Sequence, residues 1–317
     1  MMRPLLTLLA LTCTVGCVGE AEYQPGSAPR EPEPTDPSQP VQVGTFEGLS
    51  EGLPAGHLGG TAQFDGALYA VASEGLYRLP SGSKQWQAVA LGAKATSVTR
   101  IDTALWVTAS DGARLYKQAL GDDDFSPVTT APAAAAFALL KKGSQLLLAT
   151  QTGLMASSDR GATWVSKTVA APFDGPVVLV ASPAATRVFA LAGSVLWHSD
   201  DTGATWSSGL VGGEVTAISA EAEFALVQTS NGALRSDNYG NTFRPLDLGA
   251  KAQSFAASGS RAFAGTMTGM RVSDDSGLTW RDASNGLPAG TPVMQLFLAG
   301  GSLVASTGQA VYVATVK

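Results

Sequence analysis

The sequence predicts an all-β chain folded as a seven-bladed β-propeller of four-stranded antiparallel blades. Three observations predict it. An aromatic residue recurs at positions 46, 86, 125, 164, 206, 243 and 280, in steps of 40, 39, 39, 42, 37 and 37 residues. Between these aromatics lie short apolar or alternating runs bounded by Gly, Ser, Asn and Asp turns, and no segment holds a helical period over three turns. The chain also stops one strand short of a full repeat at its C-terminus, and the missing strand stands at the other end. Residues 41–317 shared among seven repeats give about 40 residues each, near the ~40–45 of a four-stranded blade.

Taken from the N-terminus, Arg3 precedes an apolar run of 11 residues from Leu5 to Val15. A membrane-spanning helix needs about 20, so this length fits the core of an export signal. The residues that follow, Thr14-Val15-Gly16-Cys17, resemble the bacterial lipoprotein signal, although Thr14 stands where that signal most often has Leu. The resemblance implies a signal peptide over 1–16, lipidation of Cys17 and anchoring to a membrane. Val18 and Gly19 after the Cys, in place of Asp, resemble sorting to the bacterial outer membrane. An ordinary secretory signal cleaved nearby is the alternative. Cleavage before Cys17 removes Cys13 and with it any disulfide partner. Residues 18–40 hold six Pro and five acids against one Arg, a composition that favours an extended, solvated tether over 17–40.

Beyond the tether four segments share one pattern, S-x-[DN]-x-G-x-T-[WF]. They place Ser157, Asp159, Gly161, Thr163 and Trp164 in register with Ser199, Asp201, Gly203, Thr205 and Trp206. Ser236, Asn238, Gly240, Thr242 and Phe243 form the third copy, and Ser273, Asp275, Gly277, Thr279 and Trp280 the fourth. Degenerate copies end at Trp86 and Phe125. The pattern resembles the Asp-box, or bacterial neuraminidase repeat, whose families fold as β-propellers. The resemblance puts each box on the turn between a blade's third and fourth strands, away from any active site. The chemistry of such a turn is architectural: Asp or Asn accepts backbone N–H bonds, Gly supplies positive φ, and the aromatic is buried.

The runs between boxes read as strand pairs: residues 67–79, 104–117, 145–157, 187–199 and 303–314 each hold an apolar strand, a turn and a second strand. Residues 310–316 occupy a third-strand position with no box after them. The missing fourth strand is read at 41–48, because Thr45-Phe46 and Gly52-Leu-Pro-Ala-Gly56 parallel Thr279-Trp280 and Gly286-Leu-Pro-Ala-Gly290. Pairing of 41–48 with 310–316 closes the ring and removes an exposed sheet edge.

Composition excludes several functions. Twenty Lys and Arg against 26 Asp and Glu give a net charge of −6, which disfavours phosphate-neutralising nucleic-acid binding. Two Cys and two His supply no cysteine-rich or histidine-rich metal site, and no cofactor motif is present. The box resemblance raises exo-sialidase, a family with six blades, an arginine triad, a Tyr–Glu nucleophile pair and an acid/base Asp. Arg100-Ile101-Asp102 echoes that family's first arginine motif without its Pro, and the propeller Tyr residues fall in strands or in a box. Gly48-Leu-Ser50-Glu-Gly52 matches the serine-nucleophile elbow in letters but leads out of a strand into a loop, with His57 alone nearby. His198 adjoins a box, and Asp122–Asp124 fill a degenerate box turn rather than a spaced calcium loop. No catalytic residue is assigned.

The candidate binding rim lies on the opposite face, in the turns between second and third strands, which carry Glu74, Asp111, Gln151, Asn231, Thr268 and Thr307. These residue types also serve turns in their own right. Seven-bladed relatives with similar boxes include photosystem assembly factors, sortilin-type receptor domains and xyloglucan-degrading enzymes. The expectation is therefore a monomeric, membrane-anchored scaffold binding a protein or glycan, with a glycoside hydrolase as the alternative.

Overall fold

The computed structural model describes residues 40–167, 177–181, 186–221 and 223–317. The predicted signal segment, Cys17 and nearly all of the predicted tether lie outside them.

Alternating apolar residues pair as seven separate four-stranded antiparallel sheets, and the described residues contain no helix. The first complete blade runs Gly60–Phe64, Ala67–Ala72, Gly75–Pro80 and Gln87–Val89. Blades two to six follow the same plan, each opening with an innermost strand: Ala95–Ile101, Ala136–Lys142, Val177–Ala181, Val215–Ala220 and Ala252–Ser258. Blade seven is shared between the two ends of the chain. It takes Gln295–Ala299, Ser302–Ser306 and Val311–Thr315 from the C-terminus and Glu47–Gly48 as its outer strand. Each innermost strand packs against that of the next blade, and Gln295–Ala299 packs against Gly60–Phe64, so the ring is closed.

The closing segment matches the prediction in place and partner, with an interrupted ladder. Glu47 and Gly48 pair with Val313 and Tyr312, and Val43 bridges Val316. Between these points Gly44 N–H donates to the Thr315 carbonyl at 2.8 Å. Val41 is buried and clamped at both backbone groups: its N–H donates to Asp274 Oδ1 at 2.7 Å, and its carbonyl accepts from Arg281 Nη2 at 2.5 Å.

The two Gly-Leu-Pro-Ala-Gly loops flank this blade and do the same work on either side. Glu51 carbonyl accepts Trp86 N–H and Asn285 carbonyl accepts Phe46 N–H, both at 2.8 Å. Gly52 and Gly286 are required there. A Cβ at either would lie 2.4 Å from the carbonyl oxygen of Trp86 or Phe46, and both have positive φ, 80° and 89°.

The core is a series of apolar clusters between neighbouring blades. One joins Phe46, Phe263, Val293 and Leu303, another Phe189, Val215, Ile218 and Val227. Second strands are the most deeply buried, with every residue of Ala67–Ala72 and of Ala104–Ala109 buried. Burying such strands on both faces supplies the main drive to fold, at roughly 25 cal/mol per Å² of apolar surface.

Candidate functional site

Antiparallel pairing divides the turns between two faces. First-to-second and third-to-fourth strand turns share one end of the ring, and second-to-third turns share the other with the blade-to-blade connectors. The four boxes therefore lie opposite the predicted rim.

In each box the Ser hydroxyl and the Asp or Asn side chain order the turn. Ser157 Oγ donates to Asp159 Oδ1 at 2.8 Å and accepts Gly161 N–H at 2.7 Å. Asp159 accepts the Thr163 N–H at 2.8 Å and its hydroxyl at 2.5 Å. Asp201 and Asp275 repeat this network with Thr205 and Thr279; Asn238 likewise accepts the Thr242 N–H at 3.0 Å but donates its Nδ2 to the Thr242 hydroxyl at 2.9 Å. The Thr163 hydroxyl, its N–H and Ser157 together hold the Asp159 carboxyl at about 2. Partial desolvation pushes Asp201 the other way, yet bonds from Thr205, Ser199 and Ala204 still bring it to about 2. Both oxygens of these carboxylates are taken up within their own turns.

The boxes have a feature with no sequence signal. The residue before each box Gly also has positive φ: Arg160 at 59°, Thr202 at 58°, Tyr239 at 61° and Ser276 at 60°. This conformation tucks the box Gly against the preceding blade. Added Cβ atoms at Gly161, Gly203, Gly240 and Gly277 would approach Trp106, Leu154, Phe189 and Leu226 to 3.1, 2.9, 2.3 and 3.0 Å. Preceding-blade arginines cap two of the turns, Arg187 donating to the Tyr239 carbonyl at 3.3 Å and Arg235 to that of Ser276 at 2.7 Å. The closing aromatics vary in depth: Phe46, Trp86 and Trp206 are buried, whereas Phe125, Trp164, Phe243 and Trp280 are half-buried.

The six rim residues occupy second-to-third strand turns of six different blades, at one end of the ring. Two carboxylates are already engaged. Asp111 Oδ1 accepts Lys94 N–H at 2.6 Å, and Glu74 Oε2 accepts the Tyr77 hydroxyl at 3.4 Å. Three turns are ordered by the last residue of the second strand, since Thr150, Thr229 and Thr266 donate to the carbonyls of Gly153, Gly232 and Gly269 at 2.7, 3.0 and 2.9 Å. Gln151, Asn231 and Thr268 are thereby left exposed at the turn tips. Thr307 is half-buried and takes the Ala310 N–H at 3.0 Å.

Sequence reasoning missed the apolar members of this face. Met267 (51% exposed) adjoins Thr268, and Met294 (37%) enters blade seven beside it, because Val293 N–H donates to the Thr266 carbonyl at 2.8 Å. Val195 (46%) starts the third strand of blade four at the same end. Among the described residues no group of three or more His, Cys, Asp or Glu is placed to hold a metal ion.

No family model and no curated protein sequence matches the chain. Many solved structures do, and seven-bladed propellers are among them. YCF48 from Cyanidioschyzon merolae aligns over 86% of this chain and 98% of its own, with a TM-score of 0.65 and 16% identity. YCF48 bound to D1 peptide aligns over 88% and 97%, with a TM-score of 0.64 and 14% identity. The extracellular domain of a putative one component system from B. thetaiotaomicron gives 0.64 at 13% identity, covering 85% of this chain and 39% of that one. An ancestral GH74 enzyme gives 0.63 at 14%, covering 86% and 46%. At these identities the likeness is one of fold.

Proposed function

We propose that this chain is an exported, membrane-tethered scaffold that binds a protein segment or glycan on its rim face without turning it over. The observation that carries the reading is the make-up of that face: exposed Met267, Met294 and Val195 stand among exposed Gln151, Asn231 and Thr268, while Glu74 accepts the Tyr77 hydroxyl and Asp111 accepts the Lys94 N–H of the connector before its blade. Apolar anchors within a polar surround suit recognition better than acid–base chemistry, which needs carboxylates free to exchange protons. The boxes, on the opposite face, are read as architectural. YCF48 bound to a peptide and the extracellular bacterial domain support a protein-binding, exported role by analogy of fold. The membrane attachment rests on Cys17 and the Pro-rich segment after it.

Envelope extract passed over the immobilised protein, in parallel with a glycan array, tests this. A bound partner should be lost with Met267→Glu plus Met294→Glu and kept with Leu278→Glu on the box face. Turnover of a glycoside that disappears in Glu74→Gln or Asp111→Asn would replace the scaffold with a glycoside hydrolase. Labelled palmitate should be incorporated by the parent and lost in Cys17→Ala, and a parent that takes up none would remove the anchor.

A further inference from the structure

The connector between blades seven and one, residues 49–59, is tied at its ends by Leu49 N–H to the Val311 carbonyl and by Gly59 N–H to the Val71 carbonyl, both at 2.8 Å, and just inside its far end by one buried side chain. Gln295 is 2% exposed and opens the innermost strand of blade seven. Its Oε1 accepts Leu58 N–H, and its Nε2 donates to the Leu58 carbonyl, both at 2.8 Å. This pair of backbone bonds fixes which end of the amide is which. The remaining Nε2 hydrogen points at His57 Nε2, 2.8 Å away. That ring nitrogen must be the acceptor, so His57 is neutral and carries its proton on Nδ1.

We propose that this contact is a proton-operated latch, in which protonation of His57 loosens residues 53–57 of the blade seven–blade one connector, between its bonded ends, and reshapes the rim beside it. A second proton on the ring would set N–H against N–H at 2.8 Å, and the amide cannot rotate to accept it without forfeiting both bonds to Leu58. The imidazole has solvent on its outer side and can swing out. What it releases is part of the rim: Leu53, Pro54 and Gly56 of the connector line a shallow groove with Gln309 and Ala310 of the blade seven turn. Ser50 Oγ accepts Val311 N–H at 2.9 Å at one end of this groove, whereas Ser306 Oγ reaches the Gly56 carbonyl only at 3.5 Å, so the Gly56 end is the weakly held one.

The charged groups on the elements packed around this junction are few. Glu51 lies on the connector itself, Glu74 in the blade one turn, and Lys84 ahead of Trp86. Lys94 precedes the blade two innermost strand and Arg100 lies at its far end. Gly60–Phe64, Gln295–Ala299 and the turn 306–311 carry none. The covered side of the ring disfavours the charged form and lowers the His57 pKa from its ordinary value. The neutral, latched form therefore dominates above pH 6.5 and is lost as pH falls through the lowered value.

The test uses the full-length protein in detergent. Ring nitrogen shifts at pH 7.5 should report the Nδ1–H tautomer at His57. Amide exchange over 53–59 and 306–311, corrected for intrinsic pH dependence, should rise about fivefold between pH 7.5 and 5. In His57→Gln, which has no proton to gain, exchange should be flat with pH. Gln295→Glu should raise the His57 pKa, because a carboxylate would now attract the charged ring. An Nε2–H tautomer, unchanged exchange at pH 5, or an equal pH response in His57→Gln would each overturn the latch. The first and third readings do not need Gln295→Glu to fold.

Discussion

Gly240 and Gly82 show how little a residue's type says about its cost of replacement. Both have positive φ, 76° and 75°, so Ala at either loses about 1 kcal/mol to backbone strain. At Gly82 nothing lies within 4 Å of an added Cβ, whereas at Gly240 the Phe189 ring lies 2.3 Å away and is fully buried. Displacing that ring adds about 1–3 kcal/mol of overpacking. Urea denaturation should therefore place Gly240→Ala about 3 kcal/mol below the parent and Gly82→Ala about 1 kcal/mol below it.

Glu221 is a second residue-scale case. Burial, opposed by a bond from Gly259 N–H, pushes its carboxyl up to about 7. A raised carboxyl pKa favours the protonated acid in the folded state. Its contribution is intact below about pH 4.5 and is lost as pH rises through 7. Glu221→Gln should remove this loss and be more stable than the parent by about 1–3 kcal/mol at pH 8. The gap should shrink toward pH 4.5, and melting curves across that range decide it.

At the scale of the element, the repeated Ser-x-Asp-x-Gly-x-Thr segment is more than an ordered turn. Its Ser–Asp–Thr network sets two successive left-handed residues, and those press the box Gly onto the neighbouring blade. The closing aromatic then anchors the turn from below. Trp206 is 5% exposed and donates its indole N–H to the Gly203 carbonyl at 3.1 Å. Trp206→Ala should cost about 3–5 kcal/mol through the cavity it leaves. Trp164→Ala, at a half-buried ring, should cost less, and a reversed order in denaturant would refute this account of the motif.

At the scale of the molecule, closure depends on a segment distant in sequence from every strand it meets. Val41 is held by Asp274, 233 residues away, and Phe46 enters the cluster of Phe263 and Leu303. Deleting residues 41–47 should leave blade seven with three strands and an apolar face open to solvent. Thermal unfolding should become earlier and broader, and limited proteolysis should cut first in 295–317. A variant as resistant as the parent would mean that the ring does not need this closure.

The repeat count, the four-strand blade and the closing segment were legible because each is a local pattern: aromatic spacing, strand–turn rhythm, and a strand missing at one end but present at the other. The six rim positions could be read for the same reason, since turns follow the strand rhythm. Met267 and Met294 could not, because nothing in a single Met tells a buried strand end from an exposed turn. Nor could the docking of each box on the preceding blade, the clamp on Val41, or the bond from Gln295 to His57 across 238 residues. Seven similar modules in a row determine that a ring of seven blades forms. Which side chains meet between blades is decided only when the ring closes, because those contacts join residues whose separation in sequence carries no period.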